Sequence, residues 1–470
     1  MFAKEIYVQR RAELKKLIGS GKIVLLGNGE AAKNYAGNAY AFRQDSTFIY
    51  YIGLDTPDLA YVLDIDNDKE YLFGDELTMD DIIWMGNLPS LKDRAAEVGI
   101  STVLPAADLK RIVTAVETGH ALSLHYLKPY RHRNLLLLSE LLGKTPAEII
   151  QNWSENLTKA VIKMRLIKSA EEIAELENAG AIGYSMHLLA MCRCHKGTKE
   201  RTIAGLLEGL ATAYGCGTSF ATILSMDGQT LHNHDHSGIL QPGRLMLCDA
   251  GCENLNHYAS DFTRTTAVDG DYSQKQKEVY DIVLKANNES IAMAKPGITY
   301  KSVHRNAYKI IFEGLRDLGL TKGDTETALN AGAPALFMPH GLGHAIGLDV
   351  HDMENLGETL VGYDDETTRD TLFGYKSLRF GKRLEVGHVL TVEPGIYFVP
   401  QLIAKWEKEK INTEFINFSA LKSYLDFGGI RLEDDILITD TGCRLVSEQR
   451  LPITTEEVKA ATSVKAFTRE

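Results

Sequence analysis

The segment His340-Gly341-Leu342-Gly343-His344-Ala345-Ile346-Gly347-Leu348-Asp349-Val350-His351-Asp352 constrains this chain more than any other stretch. Its glycines let the backbone bend sharply and let neighbouring chain approach closely. Four carboxylates in similar settings accompany it. Asp249 follows the apolar run Leu245-Met246-Leu247-Cys248, and Asp261 opens Asp261-Phe262-Thr263-Arg264-Thr265. Glu393 follows Val389-Leu390-Thr391-Val392, and Glu433 stands in Arg431-Leu432-Glu433-Asp434. The runs before Asp249 and Glu393 read as buried strands. A buried carboxylate must be paired, protonated or metal-bound. Arg431 is the candidate cation nearby in sequence, and it cannot balance four acids. Two divalent ions would: four carboxylates and a shared hydroxide carry five negative charges against four positive ones. His344 is the natural nitrogen ligand, and His340 and His351 on the same segment suit a proton shuttle or a substrate donor.

At 470 residues the chain exceeds one ordinary core, so two domains are expected. The formal charge of −12 argues against nucleic acid, which needs a basic stripe. No apolar run approaches the roughly 20 residues that span a bilayer, and Met1-Phe2-Ala3-Lys4-Glu5-Ile6 lacks a signal core. The expectation is therefore a cytoplasmic protein without membrane contact. The six cysteines show no zinc-ribbon or disulfide spacing and are expected to be reduced.

The first domain, residues 1–155, reads as α/β. A helix over 5–18 leads to the strand Ile23–Gly27, and Phe48–Ile52 and Ala60–Asp64 are further strand-like runs. Leu135 to Leu142 reads as a buried helix ending at Gly143. The second domain, residues 156–470, has longer helices. Capping boxes at Ser169–Glu172 and Ser273–Gln276 start two of them, a third stops near Gly215, and a fourth covers about 300–318. Strands are expected at Leu245–Ala250, Tyr258–Ala267, Val389–Val392, Gly395–Val399 and Gly429–Thr439. Asn254-Leu255-Asn256 is the expected turn between the first two. Alternation puts Asp261, Thr263 and Thr265 on one face, with Phe262 and Arg264 on the other. The polar stretches 353–383 and 401–427 read as surface excursions that shape access to the site. The run His232-Asn233-His234-Asp235-His236 has the wrong register for a zinc motif of the H-x-H-x-D-H type. One member, His232, is expected to line the main pocket instead.

The ordered set of Asp249, Asp261, the HGxGHxxGxxxHD segment, Glu393 in Thr391-Val392-Glu393-Pro394-Gly395 and Glu433 in Arg431-Leu432-Glu433-Asp434 resembles the metallopeptidases of the pita-bread fold. These are aminopeptidase P, prolidase and, more distantly, methionine aminopeptidase. Phe42-Arg43-Gln44-Asp45 and the residues after it resemble the aminopeptidase P N-terminal domain. The resemblance implies a mixed α/β (α+β) chain whose pita-bread catalytic domain follows that N-terminal domain. It implies that Asp249 chelates one metal, that Asp261 and Glu433 bridge two, and that His344 and Glu393 hold the other. His351 and His232 would contact the substrate and its leaving nitrogen, His340 would line the pocket, and Arg431 would stand beside the bridging glutamate. The implied reaction is hydrolysis of the Xaa-Pro bond at peptide N-termini by a hydroxide shared between two divalent ions. The oxygen-rich ligand set favours Mn²⁺. The proline nitrogen carries no hydrogen, which excludes ordinary peptidases that need an N–H there. A homo-oligomer acting on peptides with proline second is the expectation. The alternative is an Xaa-Pro dipeptidase, whose closed site would bind the proline carboxylate through Arg379; the two polar insertions point that way. A metal-free creatinase-like enzyme and a binding module that lost its metals are both disfavoured, because all five ligand positions are present.

Overall fold

The computed structural model describes residues 1–115 and 123–464. The chain divides into two compact units, Met1–Arg165 and Leu166–Glu470.

The first unit is built on a five-stranded mixed sheet. Lys22–Leu26 lies between Ala60–Asp64, antiparallel to it, and Leu124–Tyr126, parallel to it; Lys69–Phe73 and Val103–Leu104 extend the far side. Val24, Val62, Phe73, Val113 and Leu141 pack together on one face of the sheet. The helices Lys4–Ile18 and His132–Leu142 stand where the sequence places them. Phe48–Ile52 is not a strand but part of the helix Ser46–Ile52. Asp45 caps it by accepting from the Phe48 N–H at 2.8 Å, and Gly53 ends it in the left-handed conformation. All seven residues are buried, so the helix has no polar face. At that length, periodicity cannot separate an all-apolar helix from a buried strand.

In the second unit the helices Ala170–Arg193, Glu200–Tyr214, Gln274–Met293 and Tyr300–Asp317 surround small antiparallel sheets. Both expected capping boxes form, at Ser169 with Glu172 and at Ser273 with Gln276. One sheet has the order Phe262–Ala267, Leu245–Ala250, Ile223–Ser225; another has the order Val389–Val392, Asp434–Ile438, Cys443–Leu445. Gly395–Tyr397 pairs with Gly429–Arg431. Ile203, Leu207 and Met186 from the first two helices pack on Met246, Cys248 and Ala250.

Three expectations about this unit need correction. The strand expected from Tyr258 begins at Phe262, because the turn His257 N–H to Asn254 O and a left-handed His257 (φ 67°) occupy the residues before it. The run Gly429–Thr439 is two strands, Gly429–Arg431 and Asp434–Ile438. The break lets Glu433 form a backbone bridge to Thr263 of the other sheet. The stretches 353–383 and 401–427 are not mere surface excursions. Met353, Tyr375, Leu378 and Phe380 are buried in the first, and in the second Tyr424 stacks on Phe398 with ring centroids 4.7 Å apart. Their apolar residues are too irregularly spaced to read as core from sequence.

Candidate metal centre

The site is assembled at strand ends. Along Leu245–Ala250, successive side chains point to opposite faces. Met246, Cys248 and Ala250 therefore meet the helices, while Leu247 packs with Ile223 and Tyr397, and Asp249 reaches a cavity. In the register of the antiparallel pair, Thr263 lies opposite Asp249. Asp261, just before that strand, is held by its own N–H donating to Asp435 Oδ2 at 3.0 Å. Thr263 donates to Glu433 Oε2 at 2.6 Å, while Arg264 on the opposite face donates to Asp434 Oδ1 at 2.6 Å. The alternation expected for this strand is present.

The His344 segment is tied to the strand Val389–Val392 on both sides. The Thr391 N–H donates to His344 O at 3.0 Å, and the His344 N–H donates to Thr391 Oγ1 at 3.2 Å. The Glu393 N–H donates to Leu342 O at 2.8 Å. Gly343 makes this approach feasible: a Cβ there would lie 2.1 Å from Thr391 O.

These connections bring every named site residue to one cavity of about 540 Å³. Asp249, Asp261, His344, Glu393 and Glu433 line it, as do His232, His340, His351, Arg379 and Arg431. One ligand atom from each of Asp261, His344 and Glu433 lies within 4.8 Å of the other two. His344 Nδ1 faces Ala345 O at 3.1 Å. A carbonyl can only accept, so the proton sits on Nδ1 and Nε2 carries a lone pair. That lone pair faces Asp261 Oδ2 at 3.4 Å and Glu393 Oε1 at 3.9 Å. Acceptors facing acceptors call for a cation between them. Asp249 Oδ1 and Asp261 Oδ1 are buried with no hydrogen-bond partner among the described residues, which adds two oxygens in want of positive charge. The donor set thus fits hard or borderline divalent cations.

Burial raises the Asp261 and Glu433 carboxyls well above their usual range, and the neighbouring acids raise them further. Burial likewise pushes Glu393 up to about 8. Burial, with His351 beside it, holds His344 well below the usual histidine range. Burial, reinforced by Arg431, brings His340 down to about 3 and also lowers His232.

Arg431 organises one wall. Its guanidinium donates to Asp249 Oδ2 at 2.5 Å, Tyr397 Oη at 2.8 Å and Thr263 Oγ1 at 3.0 Å. Tyr397 Oη also contacts His340 Nε2 at 2.9 Å. On the other wall the His351 ring packs on His344, centroids 4.1 Å apart, and its Nδ1 meets Glu354 Oε2 at 2.6 Å. Glu354 and Glu358 both pair with Arg379. The 232–236 run does not converge: His232 and His234 line the cavity, while His236 Nδ1 contacts Leu224 O at 2.9 Å. Sequence reasoning missed Tyr397, Asp435 and His234. Tyr397 carries the one available signal, a tyrosine four residues after Glu393 in a strand pairing with the Arg431 strand.

The family model for metallopeptidase family M24 matches residues 174–440, and that for the aminopeptidase P N-terminal domain matches residues 7–124. A probable Xaa-Pro aminopeptidase of Fusarium vanettenii is 31% identical over 420 residues, covering 89% of this chain and 86% of that protein. The Xaa-Pro dipeptidase of Homo sapiens is 29% identical over 465 residues, covering 96% and 91%. Zinc-substituted Escherichia coli aminopeptidase P in complex with product superimposes with a TM-score of 0.78 at 27% identity, covering 98% of both chains. The second unit therefore has the pita-bread fold, and its ligand cluster lies inside the matched catalytic region. The chain belongs to metallopeptidase family M24.

Proposed function

We propose that this protein is an Xaa-Pro aminopeptidase, with residues 1–155 as its N-terminal domain and 156–470 as its catalytic domain. The observation that carries the reading is the meeting of Asp249, Asp261, His344, Glu393 and Glu433 at one cavity, with one buried oxygen of Asp249 and one of Asp261 left without a hydrogen-bond partner among the described residues. Those five residues would hold two divalent cations. Bound there, the cations supply Lewis acidity toward the scissile carbonyl and acidify water to a nucleophile at neutral pH. The oxygen-rich set favours Mn²⁺.

The remaining chemistry belongs to side chains. Glu393 accepts the proton of the attacking water and passes it to the proline nitrogen, which has none of its own to keep as it leaves. His351, oriented by the contact of its Nδ1 with Glu354, lines the cavity and would hydrogen-bond the developing oxyanion or the scissile amide, a contact worth roughly 3 kcal/mol. Arg431 fixes the orientation of Asp249. His232 and His340 line the substrate side. Among the described residues no helix is long and apolar enough to cross a membrane, and the proposal is of a cytoplasmic homo-oligomer.

The match of residues 7–124 to the aminopeptidase P N-terminal domain supports the aminopeptidase over the dipeptidase. Arg379, whose Nη1 pairs with Glu354 and Glu358, is the cavity cation that a dipeptidase would turn to the proline carboxylate. The test compares kcat/KM, with Mn²⁺ supplied, for an Xaa-Pro dipeptide and for its Xaa-Pro-Yaa extension. Release of Xaa from the tripeptide is the expected outcome. Cleavage of the dipeptide alone, with binding weakened by Arg379→Ala, would establish the dipeptidase instead.

A further inference from the structure

The segment that carries His351 has no regular structure of its own. Between Gly347 and Met353 the chain forms neither helix nor strand, and Met353 adopts a left-handed φ of 62°. Main-chain bonds tie it to its neighbours. The Ala259 N–H donates to Gly347 O at 2.8 Å, and the Asp352 N–H donates to Ala345 O at 2.9 Å. The strong tie is a buried ion pair, Lys168 Nζ to Asp352 Oδ2 at 2.7 Å, with side chains only 2% and 1% exposed.

Gly347 shows how tightly that pair is enclosed. A Cβ there would lie 2.4 Å from Asp352 Oδ2 and 2.9 Å from Lys168 Nζ. The ion pair therefore lies directly against the backbone of the same segment, and the missing side chain is what admits it. Lys168 is itself anchored. Its N–H donates to Gly387 O at 2.9 Å, and the next residue, Ser169, caps the long helix Ala170–Arg193. The helix thus holds the lysine, the lysine holds Asp352, and Asp352 is bonded through the chain to His351.

We propose that Lys168 and Asp352 are positioning residues that act through His351, setting where its ring stands over His344 and in the cavity. The proposal rests on the catalytic reading of His351 given above. A buried ion pair is weak as a source of stability, since apolar residues of similar volume often replace it without loss. Its value here is geometric: displacing a catalytic group by about 1 Å can cost up to about a hundredfold in rate. Beside the contact of the His351 ring with Glu354, the ion pair gives the segment a second fixed point at the next residue in the chain.

The experiment is a double-mutant cycle on the Mn²⁺-loaded full chain, cleaving an Xaa-Pro-Yaa tripeptide. Three perturbations are used. Asp352→Asn keeps the shape and removes the charge, Lys168→Met with Asp352→Leu removes both charges together, and Gly347→Ala displaces the pair without altering any charge. Each should lower kcat about tenfold with KM and metal content unchanged, in protein that still melts cooperatively. In a His351→Ala background the same changes should have no further effect, because positioning is silent once the positioned ring is gone. An equal loss in both backgrounds, or unchanged kcat in the folded Asp352→Asn and Gly347→Ala variants, would overturn the proposal. Full kcat in His351→Ala alone would instead overturn the reading of His351, and the proposal would fall with it.

Discussion

His344 and His351 meet edge to face yet turn to different partners, and this is where individual residues separate binding from chemistry. His344 turns an unprotonated Nε2 toward Asp261 and Glu393, whereas His351 is tied to Glu354 and, by way of Glu354, to Arg379. Replacing His344 with Ala should therefore lower metal content measured on the purified protein. Replacing His351 with Ala should leave metal bound and lower kcat by roughly a hundredfold. Equal metal loss in the two variants would show the roles to be misassigned. Asp249 and Glu393 were legible because each follows an apolar run, where an unpaired carboxylate has no other reason to be; Asp261 and Glu433 were legible as members of the ordered set around them. Tyr397 and Asp435 were not, since nothing in a linear pattern tells which buried polar group a distant guanidinium or N–H will meet.

Among the elements, the contact of the His344 segment with Val389–Val392 is a tight constraint that bears on the site. A methyl group on Gly343 would collide with the Thr391 carbonyl, which is main chain and cannot move aside. Gly343→Ala should therefore separate His344 from Glu393, with a melting temperature well below wild type and little bound metal; near-native melting and metal content would refute this. The helix Tyr300–Asp317 supplies a prediction away from the site. His304 on it is fully buried between Tyr308 and Tyr375, with ring centroids at 4.3 and 5.5 Å, and burial brings it down to about 3. Its folded-state value lies below that of the unfolded chain, about 6.5. The neutral ring's contribution is therefore complete above pH 6.5 and is lost as pH falls toward 3. Urea titrations should show His304→Phe losing less stability than wild type between pH 6.5 and 4, by up to about 1.4 kcal/mol per pH unit. Parallel curves for the two proteins would count against it. The same burial explains the misread helix Ser46–Ile52: with every side chain inside, the polar face that distinguishes a helix from a strand is absent.

At the scale of the whole molecule, negative charge is concentrated at one end of the second unit's sheets. Asp249, Asp261, Glu393 and Glu433 face one cavity whose nearest cations, Arg431 and Arg379, are already paired. Chelator-treated protein should be inactive and melt earlier, and Mn²⁺ should restore both properties. At one hundred times its dissociation constant a bound ion adds about 2.7 kcal/mol. Full activity in protein shown by elemental analysis to hold no metal would refute the metal dependence. What the sequence by itself determined was local: the helices with capping boxes, the strands Leu245–Ala250 and Val389–Val392, and the residue types able to hold two cations. These rest on interactions within a few residues, which a linear pattern records. Tertiary structure alone decided the rest. It broke Gly429–Thr439 so that Glu433 could bridge to Thr263, it folded 353–383 inward to bring Arg379 to the cavity, and it closed Lys168 onto Asp352 against Gly347. Each joins groups far apart along the chain. Such contacts depend on which buried surfaces and charges can be satisfied together in three dimensions, and no single stretch of sequence contains both sides of that match.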